Sequence, residues 1–574
     1  FYQKEPLWIV LSLAMIILVD LLIIFLTNSI RVGSVIVPFV LFIFAVVVCV
    51  VYEFRGIPMM APDILTVQTA TSVMGNYTFK LTFEQYSVIL VCMAFFFTFL
   101  RLHEVKVTEK RVFHIAGFIV VALGCGLFTN QIILSDFMEE HQINIRMFRP
   151  MESYQKYGGV LTFARSVGYA VVKKPEGYTT AKVDQIIQEY EKKSANEQQS
   201  TAKQYPNIIT VVNETFADIK VLGDFKTNED YMPYFHSLKK NCVTGYTYAS
   251  IVGGQTANTE FELLTGNTLG FLSAGTTAFQ LYIHGQMPSL VSNLKAEGYS
   301  GNKAMHPFNP YNYNRPAVYK DFGFTDFIDK FDFPKNVKRV REYISDEANV
   351  DRIISEYEKN RKKTDQPFYM YNMTIQNHSP YDKDAANFKQ PIKIESSKYD
   401  AEANRYLNLI KYSDDSLKQL TSYFEKCKEP TIILFLGDHQ PRLTDEFMNK
   451  ITNGQYQTWS SEQMMKRYQV PFVIWANYDI KEQHIEKTSM NYIQSILTKT
   501  AGVKMTGYQR FLNEVRKEVP TITSQGYWGK NGKFYQINDK GSPYYGIIQK
   551  YRMIQYNMMF DKKNRRDSFF EVSK

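Results

Sequence analysis

The sequence predicts an N-terminal bundle of transmembrane helices followed by an α/β domain with a mainly parallel central sheet. Three observations carry that prediction. Before Asp136 the chain is almost wholly apolar and holds four stretches near the length a membrane-crossing helix needs. From Asn207 onward, short β-branched or aromatic runs alternate with helical patterns, as in parallel sheets with crossover helices. Glu, Asp and His then follow directly on several of those runs, at the strand ends where such sheets place their chemistry. At 574 residues the chain is also too long for one ordinary domain.

The four apolar stretches are Leu7–Ile30, Ser34–Tyr52, Phe83–Leu102 and Val112–Leu134. None fits a signal peptide, because no basic segment and small-residue cleavage site flank a short core. Arg101, Lys106, Lys110 and Arg111 lie between the third and fourth stretches, and Arg31 lies in the first loop. The second loop, Glu53–Thr82, holds only Arg55 and Lys80. Basic loops stay inside, so the third loop is expected in the cytoplasm and the C-terminal domain outside. Counting back puts the N-terminus outside as well, and with Phe1 in first place this implies an odd number of upstream helices. Asp20 and Glu84 read as snorkelling or interhelix groups rather than as a functional site.

Four regions are expected: the transmembrane region 1–134, a connector 135–204, a catalytic domain 205–510 and a C-terminal extension 511–574. In the connector, Tyr154–Val172 has an amphipathic pattern (Leu161, Phe163, Val167, Ala170) suited to the bilayer surface. Lys173–Gly177 breaks it, Val183–Lys193 reads as a second helix, and a Ser/Gln-rich linker runs to Tyr205.

Composition narrows the function. The chain carries 66 basic and 57 acidic residues, a net +9, and nearly all of the surplus lies beyond the apolar region. That suits an anionic lipid surface or a phosphate substrate. No dense Lys/Arg stripe with interleaved aromatics points to nucleic acid. Of the five cysteines, Cys49, Cys92 and Cys125 lie in apolar spans, leaving Cys242 and Cys427. Without a CxxC pair, neither a zinc ribbon nor a disulfide framework is indicated.

The strands expected are Ile208–Val212, Phe368–Met373, Thr431–Leu436 and Pro471–Trp475. The helices expected include Ser289–Ala296, Val350–Arg361, Ala401–Cys427 and Met490–Thr500. The first strand runs into Asn213-Glu214-Thr215, the second into Thr374-Ile375-Gln376-Asn377-His378-Ser379, and the third into Gly437-Asp438-His439-Gln440. Carboxylates and imidazoles thus converge on one sheet edge, an oxygen and nitrogen mixture that suits Mn²⁺, Mg²⁺ or Zn²⁺. A further segment, Gly253-Gly254-Gln255-Thr256-Ala257-Asn258-Thr259-Glu260-Phe261, places two glycines before a helix start. Thr259 and Glu262 have capping-box spacing. Thr256 reads either as an N-cap or as a nucleophile, the latter only if a metal or base lowers its pKa.

These segments, in this order, resemble the lipoteichoic acid synthase family, whose members join N-terminal membrane helices to an extracellular sulfatase/alkaline-phosphatase-like domain. The resemblance spans about Asn207–Val503, with a weaker echo at Lys174-Pro175-Glu176-Gly177-Tyr178. It implies that Glu214, Thr256, Asp438 and His439 hold one divalent metal, in the family usually Mn²⁺. Thr256 would be the nucleophile, and His378 would contact the substrate phosphate or protonate the leaving oxygen. His306, Tyr313 and Arg315 fall at glycerophosphate-pocket positions. In His306-Pro307-Phe308, Phe308 stands where polyglycerophosphate synthases carry an Asp. The His-Pro form is similar to the branch that decorates wall polysaccharide.

The function so implied is a glycerophosphotransferase that takes phosphatidylglycerol as donor. It would pass glycerol phosphate through a covalent threonine intermediate to a lipoteichoic acid or cell-wall polysaccharide acceptor. The expected location is multi-pass in the cell membrane of a Gram-positive-type bacterium, with the catalytic domain extracellular. The alternatives are a phosphoethanolamine transferase of the same superfamily and a non-catalytic protein that binds teichoic polymer.

Overall fold

The computed structural model describes residues 6–55, 58–61, 83–101, 103–135, 137–141, 143, 150–167, 172, 174–194, 204–273, 276–310, 312–395, 401–454 and 456–572. The chain divides into two compact units, Phe1–Val172 with Ser273–Thr276, and Lys173–Leu272 with Thr277–Lys574.

In the first unit, Leu7–Thr27, Ile30–Tyr52 and Arg111–Ile133 are long and apolar enough to cross a membrane. The third expected stretch forms the helix Phe83–Leu100, whose apolar run among the described residues is Ile89–Leu100. The amphipathic pattern expected over Tyr154–Val172 folds as two helices, Pro150–Tyr157 and Gly159–Val167. Gly158 separates them in a left-handed conformation, φ 83°. Leu161 is buried with Trp8, Leu11, Ile133 and Tyr157, so this helix packs into the unit. Ala170, most of the second loop (62–82) and the linker 195–203 lie outside the described residues.

The second unit is built on eight strands: β1 (Asn207–Asn213), β2 (Cys242–Tyr248), β3 (Ser300–Met305), β4 (Asp326–Ile328), β7 (Phe368–Met373), β8 (Thr431–Gly437), β9 (Gln469–Ala476) and β10 (Gln483–Ser489). Their order is β10-β2-β9-β8-β1-β7-β3-β4. Every pairing is parallel except the two made by β9. A hairpin, β5 (Arg339–Val340) and β6 (Tyr343–Ile344), and a small antiparallel sheet, β11 (Thr521–Thr523), β12 (Gly526–Trp528) and β13 (Phe534–Tyr535), complete the strands.

Strands β1, β7 and β8 are buried along their whole length. Central parallel strands are covered on both faces and so read as continuous apolar runs rather than alternating ones. On one face Ile209, Val211, Met370, Ile433 and Phe435 pack on Ile353, Tyr357, Tyr406, Ile410 and Leu417 of helices Asp346–Arg361 and Ala401–Phe424. Residues of opposite parity, Ile208 and Val212, are equally buried. The helix Thr180–Ser194 belongs to this unit too. Its Glu189 pairs with Lys550 at 2.7 Å and its Asp184 with Arg566 at 2.6 Å.

β1 and β8 lie side by side with Asn213 opposite Gly437. A Cβ on Gly437 would sit 1.8 Å from the Phe216 carbonyl oxygen, a backbone atom that cannot turn away. Gly437→Ala is therefore expected to destabilise the second unit by at least ~1–3 kcal/mol, the usual cost of overpacking. A thermal melt of the purified chain within 1 °C of wild type would contradict this.

Candidate functional site

The parallel strands all end on one edge of the sheet, and five of them, β1, β2, β3, β7 and β8, lead into polar residues there. Glu214 follows β1, Asp438 and His439 follow β8, and His306 follows β3. His378 lies five residues beyond β7, and Thr256 lies on the segment that leaves β2. The structure brings the expected metal-site residues together. Ligand atoms of Glu214, Asp438 and His439 lie within 4.8 Å of one another, and all three residues are buried. His439 Nε2 is 3.2 Å from Asp438 Oδ2 and 3.7 Å from Glu214 Oε1. Thr256 Oγ1 is 3.4 Å from Glu214 Oε2.

Local structure explains how Thr256 reaches that point. Gly253 and Gln255 are both left-handed, φ 70° and 64°, so the chain turns sharply into helix Thr256–Thr265. Gly253 N–H donates to Gln440 O at 3.0 Å, tying this turn to the loop after β8. Gln255, not Thr256, occupies the N-cap. The Thr256 hydroxyl turns to Glu214 rather than to the helix amides, so the capping reading of this residue does not hold. Nor does the expected capping box form. Thr259 Oγ1 donates to Asp438 O at 2.8 Å, and Glu262 accepts from Ser250 Oγ and Leu269 N–H, each at 2.8 Å. Burial raises the Glu262 carboxyl to about 7.

The pocket residues form a second group on the same edge. His306, His378 and His439 each set Nδ1 against a backbone carbonyl: Met373 O at 3.0 Å, Ser379 O at 2.7 Å and Gln440 O at 2.9 Å. A carbonyl can only accept, so each ring carries a proton on Nδ1. Burial, then the charge of Arg315, lowers His306 well below the usual imidazole range. Burial, then His439, lowers His378 to about 4. Phe308 lies between these two rings, its centroid 6.1 Å from His306 and 6.3 Å from His378.

Arg315 is buried and fully engaged on one edge. Its Nε and Nη2 donate to Glu260 Oε1 at 3.1 and 2.6 Å. Tyr319 and Tyr371 hydroxyls donate to Glu260 Oε2. Tyr313 places its ring 5.1 Å from the guanidinium. The Nε/Nη2 edge of Arg315 therefore grips Glu260. Glu260 lies one helical turn after Thr256, so the pair ties helix Thr256–Thr265 to helix Arg315–Phe322. The spacing of 55 residues between partners gave no sequence signal for it.

The chain's own atoms fit a divalent cation. Asp438 Oδ2 and His439 Nε2 are buried without a hydrogen-bond partner. Burial and the charge of Asp438 hold Glu214 well above the carboxylate range, and burial raises Asp438 as well. Cation bonds of ~2.0–2.2 Å place neighbouring ligands about 3.0–3.5 Å apart, close to the separations seen. The His439 tautomer is the one a metal-binding Nε2 needs.

Removing one partner of a buried ion pair typically costs ~3–5 kcal/mol, because the other charge is stranded. Glu260→Gln is expected to lose about that much, read as a lower urea midpoint. An unchanged midpoint would show that Arg315 finds its charge balance elsewhere.

Comparison with known proteins agrees with this fold. The sequence profile described as Sulfatase matches residues 206–503, just over half of the chain. A Rhizobium meliloti protein named for cyclic beta-1,2-glucan modification is 30% identical over 433 residues, covering 74% of this chain and 65% of that one. A lipoteichoic acid synthase from Staphylococcus saprophyticus is 23% identical over 374 residues, covering 62% of this chain and 55% of that one. The chain thus spans less than two thirds of either relative. Among solved structures, the Streptococcus pyogenes phosphoglycerol transferase GacH, in complex with sn-glycerol-1-phosphate, shares the fold. Its TM-score is 0.57 at 20% identity, over 70% of this chain and all of that one. With the family profile spanning its catalytic sheet and the polar residues gathered at the strand ends, the chain belongs to the sulfatase family.

Proposed function

We propose that the chain is a membrane-anchored glycerophosphotransferase. It takes glycerol phosphate from phosphatidylglycerol and passes it through a covalent threonine intermediate to a hydroxyl of a glycan or glycopolymer. The observation that carries this reading is the Thr256 hydroxyl beside the buried Glu214–Asp438–His439 cluster. A divalent cation held there would lower the hydroxyl's pKa and offset charge on the phosphoryl oxygens. Mn²⁺ is the first choice.

Thr256 Oγ attacks phosphorus, the bond to the diacylglycerol oxygen breaks, and glycerophosphate stays on Thr256. An acceptor hydroxyl then displaces Thr256 and carries the glycerophosphate away. His378, neutral with a bare Nε2, is set to take a proton from an attacking hydroxyl. It can donate to a leaving oxygen only after gaining one. Arg315 and Tyr313 flank the phosphate, and His306 and Phe308 close the side toward the glycerol. A donor with two acyl chains stays in the bilayer, which accounts for a catalytic domain tethered to apolar helices. The catalytic domain is placed outside the membrane, extracellular or periplasmic. The relatives come from Rhizobium as well as Staphylococcus, so neither envelope type is singled out.

Support for the donor comes from the lipoteichoic acid synthases among the relatives and from the glycerol phosphate bound in the GacH structure. The relative named for glucan modification supports a carbohydrate acceptor, as does Phe308 in the acidic position of the polymerising enzymes. Phosphoethanolamine transfer is not the reading we favour. The complete donor set argues against a purely binding role.

Thr256→Ala is expected to abolish cleavage of labelled phosphatidylglycerol while changing stability by less than ~1 kcal/mol, the scale of one long hydrogen bond. Wild-type cleavage by this variant would place the nucleophile elsewhere. Calorimetric titration with Mn²⁺ is expected to show one site per chain, retained in Thr256→Ala and lost in Asp438→Asn. Equal binding by wild type and Asp438→Asn would remove the cluster from the metal site. Release of glycerophosphate to a glucan oligosaccharide, with phosphatidylethanolamine as the inert control, tests acceptor and donor together.

A further inference from the structure

Arg341 stands at the turn of the β5–β6 hairpin with φ 55°, a left-handed conformation uncommon for any residue but glycine. Its guanidinium is buried and reaches into the loop after β7. Nη1 donates to Pro380 O at 2.7 Å, and Nη2 donates to Gln376 O at 2.8 Å and to His378 O at 2.7 Å. Three carbonyls of one short loop therefore turn inward onto a single cation. The rings of Tyr343 and Tyr381 lie 5.2 and 5.7 Å from its Cζ. Tyr381 donates its hydroxyl to Asn377 O at 2.9 Å. The Tyr343 hydroxyl lies 3.4 Å from both His378 Nδ1 and Ser379 O. Behind the turn, Asn387 Nδ2 donates to Arg341 O at 2.9 Å.

Packing alone does not call for this arrangement. Taking a guanidinium out of water is costly unless its donors are met, and apolar fill would close the same space without that cost. The planar fork, however, does what an apolar side chain cannot. It holds several carbonyls at fixed angles, and a lysine, with one point charge on a flexible stem, would not replace it. The His378 carbonyl is one of those held. The orientation of that peptide sets where Cα points the imidazole, and Ser379 O then takes Nδ1–H.

We propose that Arg341 is a positioning residue for His378: by gathering the Gln376, His378 and Pro380 carbonyls it fixes the direction in which His378 Nε2 is presented. The proposal rests on the reading of His378 as a group that meets substrate. Arg341 acts through the loop and touches neither donor nor acceptor.

The test uses the full chain in lipid nanodiscs with labelled phosphatidylglycerol, comparing Arg341→Lys, Arg341→Ala, His378→Ala and the double variant Arg341→Ala/His378→Ala. Misplacing a reacting group by about 1 Å costs on the order of 100-fold. Both Arg341 variants are expected to lower kcat about 10- to 100-fold, with KM and Mn²⁺ binding near wild type. The double variant is expected to be no slower than His378→Ala alone, because residues that act as a unit do not add. Losses that add, or Arg341 variants within about threefold of wild type, would overturn the proposal. A second readout does not need turnover. The rate at which diethyl pyrocarbonate modifies His378, followed by peptide mass spectrometry, is expected to change severalfold in both Arg341 variants while His306 is unaffected. An unchanged rate overturns the positioning role. If wild type cleaves no phosphatidylglycerol, the proposed function fails, and this reactivity alone decides the role of Arg341.

Discussion

Two carboxylates that repel one another, Glu214 and Asp438, have to share one point at the edge of the sheet. Much of the second unit is arranged around that requirement. Adjacent parallel strands in register bring them there, since Asn213 lies opposite Gly437 and the next residue of each strand carries the charge. The chain then bends immediately on both sides. Thr215 takes φ 54°, a strained value for a β-branched residue. In that conformation its amide donates to Asp438 Oδ1 at 2.6 Å and its hydroxyl to Glu214 Oε1 at 2.8 Å. Gly437 has no side chain because the Phe216 carbonyl occupies that space. Strain of this kind persists where surrounding structure over-determines it, and it collects at functional sites. A bound cation would relieve the repulsion that the fold has to impose.

The positive groups of the site are handled in the opposite way. Arg315 and Arg341 are buried, and both bond within the protein, Arg315 to Glu260 and Arg341 through Nη1 and Nη2 to loop carbonyls. Each therefore shapes the site before any substrate arrives. The three imidazoles follow one pattern, each donating Nδ1–H to a backbone carbonyl. Those carbonyl dipoles fix the rings ahead of any ligand.

Much of this was legible in the sequence, and the exceptions have physical reasons. Strands β1, β7, β8 and β9 read as apolar runs because they are buried on both faces. β3 (Ser300–Met305) and β10 (Gln483–Ser489) did not, since β3 pairs only with β7 and the three-residue β4, and β10 is an edge strand. Their Ser, Asn, Lys, Gln and His residues look like loop. The four metal-site positions stood out because each follows a strand or a glycine turn. What pairs with what did not. Glu260 finds Arg315 across 55 residues, and Arg341 finds His378 across 37. Sequence periodicity carries no information at such separations.

The far end of helix Thr256–Thr265 has a consequence for the order in which the molecule is made. Its C-cap, Gly266, gives its carbonyl to the hydroxyls of Tyr508 and Tyr551, and the Thr268 amide and carbonyl meet the Gln555 side chain. Those partners lie more than 240 positions later in the chain. A polypeptide made from its N-terminal side completes β1, β2 and helix Thr256–Thr265 long before those braces exist. Contacts of such sequence separation form late. The far end of this helix is thereby left unbraced until the C-terminal helices have folded onto it.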